Sequence, residues 1–334
     1  MKRIILATIL LLLAFEALLI VPLMVMTPLG GKMVTTINPP PPTPTPTPLP
    51  VLSALGSTPP TLKSPIAYLL DVDTNDTLLS IRGTEQVPMA STTKIMTAVI
   101  ALEKSDPNQI VTVRNDAVKE VTENFGSSAG LKAGDKVRMI DLLYGLLLPS
   151  GDDAAIAIAD AISGSPTNFT KVMNDYTHKL HLTHTHYINP DGLTYYDYGK
   201  NKQADPNEYS TAADLAQLAR YAMRNPRFAQ IVQIQHYVLP ATADHQAYNW
   251  DTTDELLALY PGIIGIKTGY TLEAGSCLVF AARDGKHTLI GVLLQGKAKE
   301  DRFTDAPLLL DWGFALPMRE PTPTPTLAAT PTRQ

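Results

Sequence analysis

The chain has 334 residues, a formal net charge of −5, 45% apolar and 18% charged residues, and one cysteine. That apolar content is too high for a disordered chain, a lone thiol excludes an internal disulfide framework, and an acidic balance without a long basic run argues against nucleic acid as a partner. Of 28 prolines, ten fall between Pro39 and Pro60 and four between Pro321 and Pro331. The clustering divides the chain into an apolar N-terminus over 1–30, a Pro/Thr-rich linker over 31–61, a body over 62–317 and a polar tail over 318–334. A body of about 255 residues can bury a sizeable core.

In the N-terminal segment, Lys2 and Arg3 precede an apolar run from Ile4 to Met26 whose one charge is Glu16. About 23 residues at ~1.5 Å each span a ~30 Å hydrocarbon core, and a basic flank stays cytoplasmic. The expectation is a single-pass signal anchor with the body on the extracytoplasmic face of the membrane. The alternative is a cleaved signal peptide and a secreted body. The tract from Pro39 to Pro48 predicts a semi-rigid polyproline spacer.

Within the body, Ala67–Asp71 and Leu78–Arg82 predict a strand pair across the turn Asp73-Thr74-Asn75-Asp76. Ile95, Met96, Val99, Ile100 and Leu102 recur at helical spacing, predicting a helix over Ser91–Glu103. Met139–Leu148 predicts an apolar helix ending at Pro149-Ser150-Gly151, and Asp152–Ile162 an alanine-rich helix with acidic residues in its first turn. Ser165-Pro166 opens a helix to Leu180, and Thr211 with Asp214 caps another. The period then changes to strands over Gly262–Lys267, Ser276–Arg283 and His287–Leu294, with Asp284-Gly285 as a hairpin signal. A last helix is predicted over Asp301–Phe314. Strands and helices thus segregate along the chain, which predicts an α+β fold: an antiparallel sheet flanked by helices, with an all-helical cluster, and not a βαβ repeat.

Three short motifs carry chemistry. Ser91 and Lys94 stand at i and i+3 at a helix start, on one helix face. A serine hydroxyl needs a neighbouring base, and a lysine serves when burial or nearby positive charge lowers its pKa. Ser150-Gly151-Asp152 lies at a helix junction and can present a second hydroxyl to a cleft. Lys267-Thr268-Gly269 ends an apolar strand: its lysine suits an anionic group, and its glycine lets another backbone approach. Each is a weak signal alone, and an ordinary turn, cap or strand end explains it as well. His178, His181, His184 and His186 match no closed zinc spacing, so no metal and no cofactor is expected there.

The three motifs together, in this order, resemble the set found in penicillin-binding proteins and serine β-lactamases. The stretches Pro88–Ala98, Asp141–Leu147, Asn189–Leu193, Tyr209–Ala216 and Gly265–Thr271 narrow the resemblance to the low-molecular-mass D-alanyl-D-alanine carboxypeptidases, over Ala67 to Phe314. The resemblance implies a β-lactamase/transpeptidase-like fold and a serine acyl-transfer enzyme of peptidoglycan maturation. Ser91 is then the nucleophile, Lys94 its base and Ser150 the proton relay to the leaving D-alanine. Asp152, Lys267, Thr268, Gly269 and Tyr270 bind substrate: Lys267 and Thr268 hold the terminal carboxylate, and the backbone N–H groups of Ser91 and Tyr270 form the oxyanion hole. The implied partners are stem peptides ending in D-Ala-D-Ala and β-lactams as covalent inhibitors.

Two departures stand out. The family's middle motif usually ends in asparagine, whereas here it ends in Asp152. An ionised carboxylate only accepts hydrogen bonds and favours the charged form of a nearby lysine. Relatives also commonly continue into a small C-terminal β-domain, and none is expected after Trp312-Gly313-Phe314. The competing expectations are a D,D-endopeptidase, a serine β-lactamase, and a catalytically weak wall-binding or β-lactam-sensing module. Against the β-lactamase, no glutamate occurs between Glu123 and Glu208 to activate a deacylating water.

Overall fold

The computed structural model describes residues 50–197 and 203–319. The expected anchor, most of the expected linker and nearly all of the polar tail lie outside the described residues. No helix among the described residues is long and apolar enough to cross a membrane.

The centre is a five-stranded antiparallel sheet built from β1 (Ile66–Asp71), β2 (Thr77–Ile81), β3 (Ile263–Thr271), β4 (Gly275–Arg283) and β5 (Thr288–Gly296), in the order β3-β4-β5-β1-β2. All of its neighbouring pairs are antiparallel. The strand pair expected around Asp73–Asp76 and the three late strands are therefore all present. The third motif is placed differently: Lys267-Thr268-Gly269 lies inside β3 and not at its end, because pairing with β4 carries the strand on to Thr271.

Strand alternation sends side chains to two cores. Ile66, Tyr68, Leu70, Val279, Ala281, Ile290 and Val292 face the larger one, which the helices α1 (Lys94–Lys104), α2 (Asn115–Asn124), α3 (Met139–Leu147), α4 (Asp152–Ser163), α5 (Pro166–Lys179), α6 (Ala212–Ala222) and α7 (Pro226–Val232) complete. Ala67, Leu69, Leu278, Phe280, Leu289 and Leu293 face a smaller core closed by Ala306, Leu309 and Leu310 of α8 (Asp301–Phe314). The expected segregation holds, with one refinement: the last helix covers the sheet face opposite the helical cluster.

The capping signals act as the sequence predicts. Ser165 Oγ accepts from Asn168 N, with Pro166 at the first helical position, and Thr211 Oγ1 accepts from Asp214 N. The helix α2 and the ribbon pairing His236–Leu239 with Tyr248–Asp251 carry no strong periodic signal and were not expected. Val51–Leu52 pairs with Met318–Arg319 as a short ribbon at the two ends of the described chain.

Phe280 is fully buried between the sheet and α8. Phe280→Ala is expected to destabilise the fold by about 3–5 kcal/mol. The check is chemical denaturation, with the midpoint falling at unchanged slope.

Candidate active site

The site forms where the start of α1, the α3–α4 junction, the Asn189–Leu193 loop and β3 meet. Ser91 lies in a single 3₁₀ turn, Ala90–Thr93, that leads into α1, and not in the α-helix proper. Ala90 ahead of it has φ 48°, in the left-handed region that β-carbon-bearing residues seldom occupy. Ser150 has φ 66° in the α3–α4 turn, so both serines of the site stand on or beside strained backbone.

Lys94 is fully buried. Its Nζ donates to Ser91 Oγ at 3.0 Å, to Asp152 Oδ1 at 2.5 Å and to the carbonyl of Asp191 at 2.7 Å. The three bonds use all three ammonium protons. The third partner comes from the Asn189–Leu193 loop, which Thr97 anchors to α1 by donating to the Pro190 carbonyl at 2.6 Å. A β-carbon at Gly192 would lie 2.1 Å from the Ala90 carbonyl oxygen, so only glycine lets this loop close on the serine turn.

Carboxyl groups crowd the lysine. Burial raises the Asp152 carboxyl above its usual range, and the Lys94 charge works against that rise. Burial raises Asp191 well above its usual range, with the charge of Asp152 adding. Glu120 of α2 is raised mainly by burial, and Tyr195 donates to its Oε1 at 3.0 Å. In both Asp152 and Asp191 the second carboxyl oxygen is buried without a hydrogen bond.

On the other side, Lys267 is buried, and its Nζ donates to the Thr268 carbonyl at 3.0 Å. Burial pushes its ammonium well below the usual lysine range, and the charges of Lys94 and then Arg302 push the same way. Thr268 Oγ1 and Thr253 Oγ1 are 2.6 Å apart. Arg302 of α8 donates through Nη1 to the Gly269 carbonyl at 2.9 Å and to the Cys277 carbonyl at 3.3 Å. Lys299 Nζ lies 4.8 Å from the centre of the Tyr270 ring.

These groups border a cavity of about 330 Å³ lined by Ser91, Phe125, Ser127, Ser150, Thr253, Thr268, Gly269, Tyr270, Lys299 and Arg302. Of the residues singled out from the sequence, Ser91, Ser150, Thr268, Gly269 and Tyr270 line it. Lys94, Asp152 and Lys267 are buried outside that lining and act on it through hydrogen bonds and charge. Sequence reasoning did not find Thr253, Arg302, Glu120 or the Asp191 carbonyl in these positions. Asp191 sits inside a stretch that carried the resemblance, but a backbone carbonyl leaves no residue-type signal. Cys277 is fully buried, and burial pushes its thiol up to about 12.

A hydroxyl paired with a buried lysine, a second hydroxyl across the cavity and a strand edge under positive charge define a serine acyl-transfer protein of the penicillin-binding class. Comparison with known proteins gives the family. The model of the D-alanyl-D-alanine carboxypeptidase family, peptidase family S11, matches residues 54–298, and the chain belongs to that family. It is 37% identical over 280 residues to the D-alanyl-D-alanine carboxypeptidase of Streptomyces sp. strain K15, covering 78% of this chain and 93% of that one. It is 30% identical over 250 residues to DacF of Bacillus subtilis, covering 75% of this chain and 61% of that one. The solved structure of the Streptomyces K15 DD-transpeptidase superposes with a TM-score of 0.71 at 35% identity, over 78% of this chain and all of that one. The sheet-and-helix architecture expected from the sequence is thus the transpeptidase-like fold.

A β-carbon added at Gly269 would lie 3.1 Å from Ala90 Cβ, the Met89 carbonyl oxygen and Ser91 N. Gly269→Ala is expected to displace the Ser91 turn and slow acylation by a fluorescent penicillin about 10–100-fold. Stopped-flow labelling measures the rate, and a melting curve close to wild type shows that the fold persists.

Proposed function

We propose that this protein is a serine-type D-alanyl-D-alanine carboxypeptidase that removes the terminal D-alanine from peptidoglycan stem peptides through an acyl-enzyme on Ser91. The observation that carries the reading is the Lys94 Nζ–Ser91 Oγ contact of 3.0 Å inside a buried site. Ser91 Oγ attacks the carbonyl of the D-Ala–D-Ala bond, and its proton passes to the lone pair of Lys94 Nζ in its free-amine form. Ser150, across the cavity, relays a proton to the nitrogen of the departing D-alanine. The terminal carboxylate lies against the hydroxyls of Thr268 and Thr253, in the positive field of Lys267 and Arg302. The backbone N–H groups of Ser91 and Tyr270 receive the developing oxyanion, and the closeness of Gly269 to Ser91 N supports that pairing. Water then releases the shortened peptide and regenerates the Ser91 hydroxyl. A β-lactam acylates the same hydroxyl by opening its own ring.

Lys94 Nζ holds the Asp152 carboxyl at 2.5 Å in a fully buried site, so the residue that serves Ser91 as base is also half of a buried ion pair. That contact favours a second reading, a β-lactam-binding module with slow peptide turnover.

The apolar run Ile4–Met26 is proposed as the membrane anchor and the proline tract as the spacer that holds the body on the extracytoplasmic side. Protease accessibility of the body in intact spheroplasts tests this, and a body protected from external protease overturns it.

Full-length protein in detergent, a fluorescent penicillin and a peptide ending in D-Ala-D-Ala test the chemistry. The expected result is a covalent adduct and D-alanine release, both abolished by Ser91→Ala. An adduct without peptide turnover favours the sensing module, and rapid penicillin turnover favours a β-lactamase. Release from cross-linked peptides in place of the linear one favours an endopeptidase. In Asp152→Asn, loss of the carboxylate that accepts from Lys94 Nζ is expected to change the rate of Ser91 acylation at least about tenfold. A rate within about twofold of wild type shows that the carboxylate does not govern the Lys94–Ser91 pair.

A further inference from the structure

Away from the cleft, the described residues bring together one set of side chains suited to a metal ion. Asp71 ends β1, Asp73 stands in the turn that follows, and His287 precedes β5; one ligand atom from each lies within 4.8 Å of the others. The four histidines at 178, 181, 184 and 186 form no such group. Asp71, Asp73 and His287 share no local spacing and meet only through the pairing of β1 with β5.

Two further observations point to a ligand. Asp71 is fully buried, and its Oδ1 accepts from Asp73 N at 2.9 Å and Thr74 N at 3.4 Å, whereas its Oδ2 makes no hydrogen bond. His287 Nδ1 is also buried without a hydrogen bond and lies 3.6 Å from Asp71 Oδ2. An unsatisfied carboxylate oxygen facing an unsatisfied imidazole nitrogen carries a desolvation cost that a shared cation removes. Their separation is too long for a good hydrogen bond, but it is close to the ~3.4 Å edge of a tetrahedron of ligands at ~2.1 Å from zinc.

The backbone supporting these groups is well tied. Asp284 Oδ1 accepts from Lys286 N and His287 N, both at 2.8 Å, and Val72 N donates to the Thr288 carbonyl at 2.9 Å. Asp73 is exposed, and its Oδ2 accepts from Thr288 N at 3.3 Å, so this side chain is the one free to close on an ion. The neighbouring cations are partly engaged: Arg220 Nε donates to the Val72 carbonyl at 3.1 Å and Arg283 Nε to Thr288 Oγ1 at 3.2 Å. They weaken cation affinity, and the two carboxylates offset them.

We propose that Asp71, Asp73 and His287 form a binding site for one divalent cation of the zinc class, with water completing the coordination. One imidazole and two carboxylates suit a first-row transition ion and not calcium, which takes six to eight oxygens. The ion ties the β1–β2 turn to the β4–β5 hairpin. The site is remote from the chemistry along the strands: Asp71 stands opposite Leu289, whereas Thr268 belongs to the row of Leu278, Leu293 and Ala67.

The test uses the full-length protein in detergent, stripped with EDTA and titrated with ZnCl₂ by calorimetry. Cobalt(II) absorption reports a nitrogen-containing ligand set. One zinc per chain is expected, with a melting temperature raised by about 5–10 °C at a hundredfold excess over Kd. His287→Gln and Asp73→Asn are each expected to weaken binding at least about tenfold, with penicillin labelling of Ser91 unchanged in both. Asp73 is exposed, so its variant keeps the test open if His287→Gln fails to fold. No zinc binding overturns the proposal, as does binding that neither variant weakens. A loss of stability in His287→Gln that is the same in EDTA and in zinc also overturns it, since the contact is then an ion pair alone.

Discussion

A buried ammonium must have all its protons accepted, and around Lys94 that requirement organises the site. Its three acceptors come from three separate pieces of chain: the serine turn, the start of α4 and the Asn189–Leu193 loop. Removing one partner of a buried charge pair commonly costs about 3–5 kcal/mol. The same contacts that hold these segments together therefore also set the distance between Lys94 and Ser91. Positioning and stability are one interaction here, and Asp152 belongs to both.

The sheet supplies the opposite wall. Pairing of β3 with β4 and the absence of a side chain at Gly269 let β3 run against the backbone of Ser91. On the far face, α8 packs over Phe280 and Leu289 and in doing so delivers Arg302 to the carbonyl of Gly269. A helix that looks like simple core cover thus places a cation beside the cleft. With Lys267 it makes a region of positive potential under the strand edge, and a carboxylate-ended peptide is the kind of ligand such a region attracts.

Much of this was legible in the sequence because the signals are local. The period-2 and period-3.6 runs marked all five sheet strands and most helices, and the Ser165 and Thr211 caps marked helix starts to within a residue. The less legible elements were those whose apolar face is short: α2 has a single fully buried residue, Ala117, and the His236–Leu239 strand exposes alternate residues on an edge ribbon. The extent of β3 is likewise less legible, since it runs from Ile263 to Thr271. Gly269 breaks a strand pattern in sequence, yet the β4 ladder carries the strand through it.

The sequence by itself determined the three motifs, their order and the element each belongs to, since a serine three residues before a lysine and a threonine beside a strand glycine depend only on neighbours in the chain. It also determined that the middle motif ends in the carboxylate of Asp152. The tertiary structure decided what those residues touch. That Asp152 pairs with Lys94, that the Asp191 carbonyl takes the third proton, that Thr253 and Arg302 join the cleft, and that Asp71 meets His287 all follow from packing between segments distant in the chain. Such contacts are set by sheet register and by the burial of shared faces, and no local spacing encodes them.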